Sequence, residues 1–305
     1  MKIALTGGAG FIGSHVTKLL LEQGHSVMVL DNLSHGYKKI LDKKANFIQV
    51  DLQNQPELEK ILPGHDAVIH MASLIEVGGS VLKPVEFVEN NILGTAKLLQ
   101  AMKVSNVKKI IFSSSACVYG VPTNIPITEN DPLGPQDNTY GLSKVTMEQL
   151  CLLYNRLFGF DVVILRYFNP YGPGELHTPE THAIPNFIKA VLKNQPIPLY
   201  WKGEQIRDFI YIEDLAKAHI LPLNLQGLHI FNVGTQTGTK VIDVVNLIFK
   251  ITGTKVPIED KGERKGDVPS LVASSEKIEK ELGWKAKVDL DEGLRKTIGF
   301  YRSHP

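Results

Sequence analysis

The chain has 305 residues, of which 43% are apolar and 21% charged. Its 33 Lys and Arg against 32 Asp and Glu leave a net charge of +1. That composition excludes a disordered chain. A charge so near zero gives no basis for a nucleic-acid or membrane-surface partner.

The length suits two domains, or one large α/β unit with a cap. Two cysteines, Cys117 and Cys151, cannot make a disulfide framework or a four-Cys zinc site. They fit a reducing compartment, and no metal ligand set is expected. The stretch from Met1 to Leu5 carries no signal-peptide cleavage pattern, and no apolar run is long enough to span a membrane. The expected location is the cytoplasm.

Residues 2–6 are a short apolar run that reads as a strand. Gly7, Gly8 and Gly10 then turn the chain. A helix is expected over 14–23, with Val16, Leu19 and Leu20 on one face and Gly24 as its stop. The runs 26–30, 46–50, 66–70, 108–113 and 161–166 are short and rich in Val and Ile, as strands buried on both faces are. Further helices are expected at 86–103 and 140–158. This alternation predicts an α/β fold with a Rossmann-type, doubly wound parallel sheet. After residue 168, Pro and Gly cluster at 170–185 and 195–203, which predicts a smaller α/β substrate-binding domain. The run 208–233 is regular again and is expected to rejoin the sheet.

Thr6-Gly7-Gly8-Ala9-Gly10-Phe11-Ile12-Gly13 follows the first strand and opens the first helix. Gly7 permits the tight turn, Gly10 lets backbone N–H groups approach a pyrophosphate, and Gly13 lets helix and strand pack closely. Asp31 ends the second strand, where a carboxylate accepts from ribose hydroxyls and repels a 2′-phosphate. NAD is therefore expected rather than NADP. Asp51, followed by Leu52, ends the third strand, where an adenine would lie. Asp31 could instead be a helix or turn cap, and Asp51 could equally take no part in cofactor binding.

Ser113-Ser114-Ser115 ends the fifth strand, and Tyr140 and Lys144 lie four apart at the start of a helix, so they share a face. An ammonium beside a phenol favours phenolate, which makes Tyr a usable acid and base near neutral pH. Ser115 is placed to hydrogen-bond the same substrate hydroxyl.

These motifs make the chain resemble the extended short-chain dehydrogenase/reductases, and within them the nucleotide-sugar 4-epimerases, UDP-glucose (UDP-galactose) 4-epimerases above all. The resemblance rests on TGGAGFIGSH (6–15), HMAS (70–73), VGGSVLKP (77–84), NNILGT (90–95), SSSACVYG (113–120), YGLSK (140–144), LRYFNPYGP (165–173), RDFIYIEDLA (207–216), FNVGT (231–235) and RKGD (264–267). It implies NAD-dependent 4-epimerisation of a UDP-hexose by transient oxidation at C4 and non-stereospecific hydride return. It implies Tyr140 as acid and base, Lys144 as the residue that holds the nicotinamide ribose, and Ser115 on the sugar 4-hydroxyl.

The cofactor is expected against Gly7, Gly10, Phe11, Ile12, Gly13, Asp31, Asn32, Asp51, Leu52, Ala72, Asn90, Ser113, Tyr140, Lys144 and Tyr167. The sugar nucleotide is expected against Ser80, Ser115, Asn169, Tyr200, Arg207, Arg264 and Asp267. Arg suits a diphosphate because its fork is planar, bidentate and always charged. Arg207 beside Asp208 could equally form a local ion pair, and Arg264 could be solvated. The implied domains are 1–168 plus about 208–235 for NAD, and 169–207 plus 236–305 for the nucleotide sugar. Family members form homodimers through a four-helix bundle built from the helices corresponding to 86–103 and 140–158.

Departures narrow the reading. Ala116 and Cys117 stand where the 4,6-dehydratase branch carries acidic residues. Cys117 is either a reactive thiol or a small buried residue. Trp201 replaces a customary Gly beside Tyr200. His177 and His182 either line the sugar pocket or lie on the surface, and His70 reads as a satisfied core histidine. Other nucleotide-sugar enzymes of the branch stay open: UDP-glucuronate or UDP-N-acetylglucosamine epimerases, a UDP-glucuronate decarboxylase, a dTDP-sugar epimerase. So do a net dehydrogenase and a non-catalytic NAD-binding regulator.

Overall fold

The structure is a computed structural model that describes residues 1–176, 182–263 and 268–304. The chain forms two compact units. The first comprises Met1–Gly120, Pro132–Arg166 and Ala216–Phe231, and the second Val121–Asp131, Tyr167–Leu215 and Asn232–Pro305. The returning segment is therefore shorter than the expected 208–235, because 208–215 and 232–235 group with the second unit.

The first unit is built on strands β1 (Lys2–Thr6), β2 (Ser26–Asp31), β3 (Asn46–Gln49), β4 (Ala67–His70), β5 (Lys109–Ser115) and β6 (Asp161–Tyr167). With the late strand Leu228–Val233 they form one sheet in the order late strand, β6, β5, β4, β1, β2, β3. The pairings of β2 with β3, β1 with β2, β1 with β4 and β4 with β5 are parallel, in the register Ala4↔Met28 and Ala4↔Val68. The strand order turns back at β1, so the C-terminal ends of β1 and β4 border the switch point at which such sheets bind ligands. Val, Ile and Phe on both faces of β1, β4 and β5 are buried, as their unbroken apolar runs require.

Helices α1 (Phe11–Glu22), α2 (Gln55–Ile61), α3 (Val77–Leu82), α4 (Pro84–Phe87), α5 (Gly94–Val104) and α6 (Thr139–Phe158) complete the unit. Leu98, Leu99 and Met102 of α5 and Met147 and Cys151 of α6 pack in one core with Val68, Ile110, Phe112 and Ile164 of the sheet. The Asn138 side chain caps α6 by accepting from Gly141 N at 2.9 Å, and Gly159 stops it at φ 65°.

The single helix expected over 86–103 is broken. A π-helical turn, Val88–Leu93, joins α4 to α5. The wider turn is the local cost of bringing Asn91 inside, a polar side chain that apolar periodicity does not register.

The second unit carries β7 (Asn169–Tyr171), α7 (Ala183–Leu192), β8 (Ile197–Leu199), β9 (Ile206–Arg207), β10 (Phe209–Tyr211) and later short elements. β7 pairs with β10 in parallel, setting Asn169 opposite Phe209. β9 is the middle of three strands, between Thr239–Lys240 and Ser270–Leu271. No helix of the described residues is long and apolar enough to cross a membrane.

Candidate active site

Gly7 takes φ 74°, and a Cβ there would meet Ala72 N at 2.7 Å. A Cβ on Gly13 would collide with the Gly7 carbonyl and lie 2.7 Å from Gly8 Cα. The loop therefore lies too close to β4 and α1 for any side chain at these two positions. α1 begins at Phe11 with no side-chain cap and no acidic residue in its first turn. The N–H groups of Phe11, Ile12 and Gly13 are left as a helix N-terminal anion site. The Asp31 carboxylate is buried, accepting from Ala9 N at 3.0 Å and Leu33 N at 2.8 Å. It locks the loop to β2. The exposed Asp51 accepts from Asn32 Nδ2 at 2.9 Å, which brings two of the expected cofactor residues together, while Leu52 is buried. Cradle, helix terminus and the carboxylates of Asp31 and Asp51 fit a dinucleotide.

Lys144 is buried on α6. Its Nζ donates to the Ser113 carbonyl at 2.8 Å and to Ser73 Oγ at 3.0 Å, and lies 6.0 Å from the Tyr140 ring centroid. Burial pushes this ammonium down to about 8, while Cys117 and Glu148 pull the other way. Ser115 Oγ accepts from Cys117 N at 3.3 Å at the end of β5. Tyr140, Lys144 and the three serines thus gather at one end of the first unit. Cys117 is half-buried, and its thiol is pushed up to about 11, chiefly by burial, with hydrogen bonds to Ser115 and Tyr140 opposing. It is therefore a neutral thiol at physiological pH and a poor nucleophile.

His70 is fully buried between Thr6 Oγ1 at 2.8 Å and Thr95 Oγ1 at 2.9 Å. Burial, helped by the Lys144 charge, pushes it down to about 3. Thr95 spends its proton on the Asn91 carbonyl at 2.6 Å, so Nε2 of His70 carries the hydrogen and Nδ1 accepts from Thr6. It is a satisfied core histidine, as its place at a strand end suggests.

Asn91, rather than its expected neighbour Asn90, is the buried hub. It accepts from Leu74 N at 2.8 Å and from Asn90 Nδ2 at 2.9 Å, and donates to the Leu74 carbonyl at 3.0 Å and Ser143 Oγ at 2.8 Å. Ser143 in turn donates to the Tyr140 carbonyl at 2.7 Å. Nothing in the pattern of apolar residues marks Asn91, Ser73 or Glu148. Only the topology brings Asn91 and Ser73 to α6, the helix on which Glu148 itself lies.

The expected sugar-nucleotide residues divide between the two units. Ser80 is fully buried and gives its proton to the Val77 carbonyl at 2.8 Å, so it presents no hydroxyl to a ligand in this structure. In the second unit, Asn169 starts β7 and Tyr200 is partly exposed. Arg207 lies on β9 and donates through Nη1 to the Ile206 carbonyl at 2.9 Å. The Asp208 carboxylate accepts from Thr235 N and Oγ1, Gln236 N and Ala273 N. Trp201 and Lys202 take φ 51° and 52°, so the Tyr200 turn adopts the left-handed backbone without the customary Gly. Arg264, Asp267 and His177 lie outside the described residues. His182 bonds the Glu175 carboxylate.

Residues 3–234 match the model of the NAD dependent epimerase/dehydratase family. The chain belongs to this family. Among its relatives, a UDP-glucose 4-epimerase of Lactobacillus helveticus is 39% identical over 325 residues, covering 100% of this chain and 98% of the relative. A UDP-glucose 4-epimerase of Thermotoga maritima, solved with UDP-glucose, superposes with a TM-score of 0.95 at 35% identity, covering 100% of this chain and 99% of that one. One from Bifidobacterium longum, solved with NAD+ and UDP, does so with a TM-score of 0.94 at 34% identity, covering 100% and 99%. Family membership gives the Gly loop and the Tyr140–Lys144 pair a shared context. NAD is the family's cofactor, and the cradle described above fits it.

Proposed function

We propose that this chain interconverts UDP-glucose and UDP-galactose by NAD-dependent epimerisation at C4. The observation that carries the reading is the convergence of Tyr140, Lys144 and Ser115 in the same unit as a glycine cradle that excludes side chains.

Phe11, Ile12 and Gly13 would hold the pyrophosphate of NAD through backbone N–H groups, and Asp31 the adenosine ribose. Asn32, Asp51, Leu52, Ala72, Asn90, Ser113 and Tyr167 complete the cofactor's surroundings. NAD, when bound, supplies the acceptor and donor of the C4 hydride. Tyr140 takes the proton from the sugar 4-hydroxyl and later returns it. Lys144 holds a positive charge beside the phenol, and Ser115 hydrogen-bonds the reacting oxygen. Arg207 and Arg264 anchor the diphosphate, with Asn169 also on the sugar nucleotide, Tyr200 near the base and Asp267 on the uridine ribose. A firmly held diphosphate and a loosely held hexose let the sugar present either face.

The chain works as a homodimer through a four-helix bundle. Support comes from an apolar surface that one copy leaves exposed: Val85, Val88 and Leu93 along α4 and the π turn, and Leu142, Leu153 and Leu157 along α6. Free cysteines at 117 and 151 fit a cytoplasmic enzyme.

The test is incubation with UDP-galactose without added NAD. Appearance of UDP-glucose is expected, together with retained cofactor. No conversion even with added NAD would overturn the reading. Tyr140→Phe should abolish turnover while leaving NAD bound.

A further inference from the structure

α6 carries Tyr140, Lys144 and Glu148 at four-residue spacing on one face. The proposed reaction uses the first two and leaves the third unexplained. Glu148 is fully buried. Its Oε1 accepts from Ser114 Oγ and from Arg166 Nε at 3.0 Å, and its Oε2 from Arg166 Nη2 at 2.7 Å. Arg166, on β6 and also buried, donates through Nη1 to the Tyr119 hydroxyl at 3.0 Å.

Stability does not account for such a pair. Two charges taken out of water are repaid only in part by their attraction, and apolar residues of the same shape would fill the core as well. What the pair does supply is placed charge and placed backbone. Ser114 lies between Ser113, whose carbonyl receives Lys144 Nζ, and Ser115. One carboxylate thereby ties α6, the end of β5 and β6 together beneath the reacting groups.

We propose that Glu148 and Arg166 are positioning residues for the Tyr140–Lys144–Ser115 group, Glu148 as the internal counter-charge that keeps Lys144 an ammonium and Arg166 as the cation that limits its pull. The inference rests on the epimerase reading. The groups placed against Lys144 are Tyr140 and Glu148 on its own helix, Phe112 and Ser113 on β5, Cys117 just after it, His70 on β4 and Ser73 beyond β4. His70 and Cys117 are neutral at working pH. The ionic balance around Lys144 therefore lies with Glu148, whose charge Arg166 shares, together with the phenol that Lys144 serves.

The two single variants have opposite signs, which no merely structural role predicts. In Glu148→Gln, Lys144 loses its counter-charge. The alkaline limb of the kcat/KM profile for UDP-galactose should move to lower pH by about half a unit or more. In Arg166→Met the carboxylate is unshared, and the limb should move to higher pH. Retained NAD, read by absorbance of the purified protein, marks a folded cofactor site in each. A limb that stays in place in both variants, or moves the same way in both, overturns the inference. If the single variants do not fold, Ser114→Ala decides the positioning role. It keeps both charges and cuts the tie to β5, so kcat should fall severalfold at every pH with the limb unmoved. An unchanged kcat overturns the inference. An inactive wild type that retains NAD would instead defeat the epimerase reading.

Discussion

Replacing Asn91 by Ala removes one small side chain and breaks four hydrogen bonds. Asn90 is half-buried and can turn to water, and Ser143 keeps the bond it donates to Tyr140. The Leu74 N–H and C=O cannot recover, because Leu74 is buried and both groups face the vacated amide. A buried backbone group left unpaired costs about 1–3 kcal/mol, so two cost roughly 4 kcal/mol. For a chain of this size that lowers the melting temperature by roughly 6 °C. The measurement is thermal unfolding followed by circular dichroism, at matched and limiting NAD, because bound cofactor would mask part of the loss. A fall smaller than roughly 2 °C would refute the hub, since the worked magnitude leaves no room for it.

Asn91→Asp sharpens the test. Aspartate keeps the acceptor for Leu74 N but sets an oxygen against the Leu74 carbonyl and loses the donation to Ser143. The carboxyl is then held neutral, with a folded pKa above its unfolded value of about 3.9. The folded state binds more protons in that window, so stability should fall as pH rises through it. Asn91→Ala should show no such slope.

Activity should decline above about pH 8 as the Lys144 ammonium is lost. Stability runs the other way: a lysine lowered from 10.5 to about 8 destabilises while charged, so its contribution improves from pH 8 towards 10.5, and Lys144→Met should remove that slope in urea titrations. Gly13→Ala places a methyl against the Gly7 carbonyl and should give protein purified without NAD; normal cofactor content would contradict the cradle. Leu153→Glu with Leu157→Glu puts two charges on the exposed α6 stripe, and light scattering should then report monomers against the dimers proposed for the parent; an unchanged mass would place the interface elsewhere.

Much of the first unit is legible from local rules. β1 ends where Gly7 first needs a positive φ, and α6 runs between the Asn138 cap and Gly159, one residue longer than its pattern suggests. Asp31 is found at the end of β2, and Lys144 buried beside β5. What local rules miss is long-range satisfaction of polar groups. Asn91 interrupts the helix expected over 86–103 because its amide must reach Leu74, 17 residues back, and Ser143, 52 residues on. Ser80 looks like an available hydroxyl in a Gly-rich stretch, yet the short helix α3 turns it inward onto Val77. The second unit is less legible because its strands are two or three residues long, too short for alternation to accumulate.

α6 explains why the proposed reacting groups and the core are hard to separate. Met147 and Cys151 are sealed against the sheet, while Tyr140, Lys144 and Glu148 rise along a neighbouring line of the same helix. A rotation of α6 that moved Tyr140 would also lift Met147 out of its packing and pull Glu148 from Arg166. Close-packed cores resist such motion. Tyr140 is therefore held by two independent sets of contacts, one apolar and one ionic. Loosening either should lower kcat before it lowers binding of the cofactor, whose cradle depends on α1 and β2 instead. A core variant such as Met147→Ala separates the two: kcat should fall while NAD content stays whole, and equal loss of both would mean that α6 and the cradle yield together.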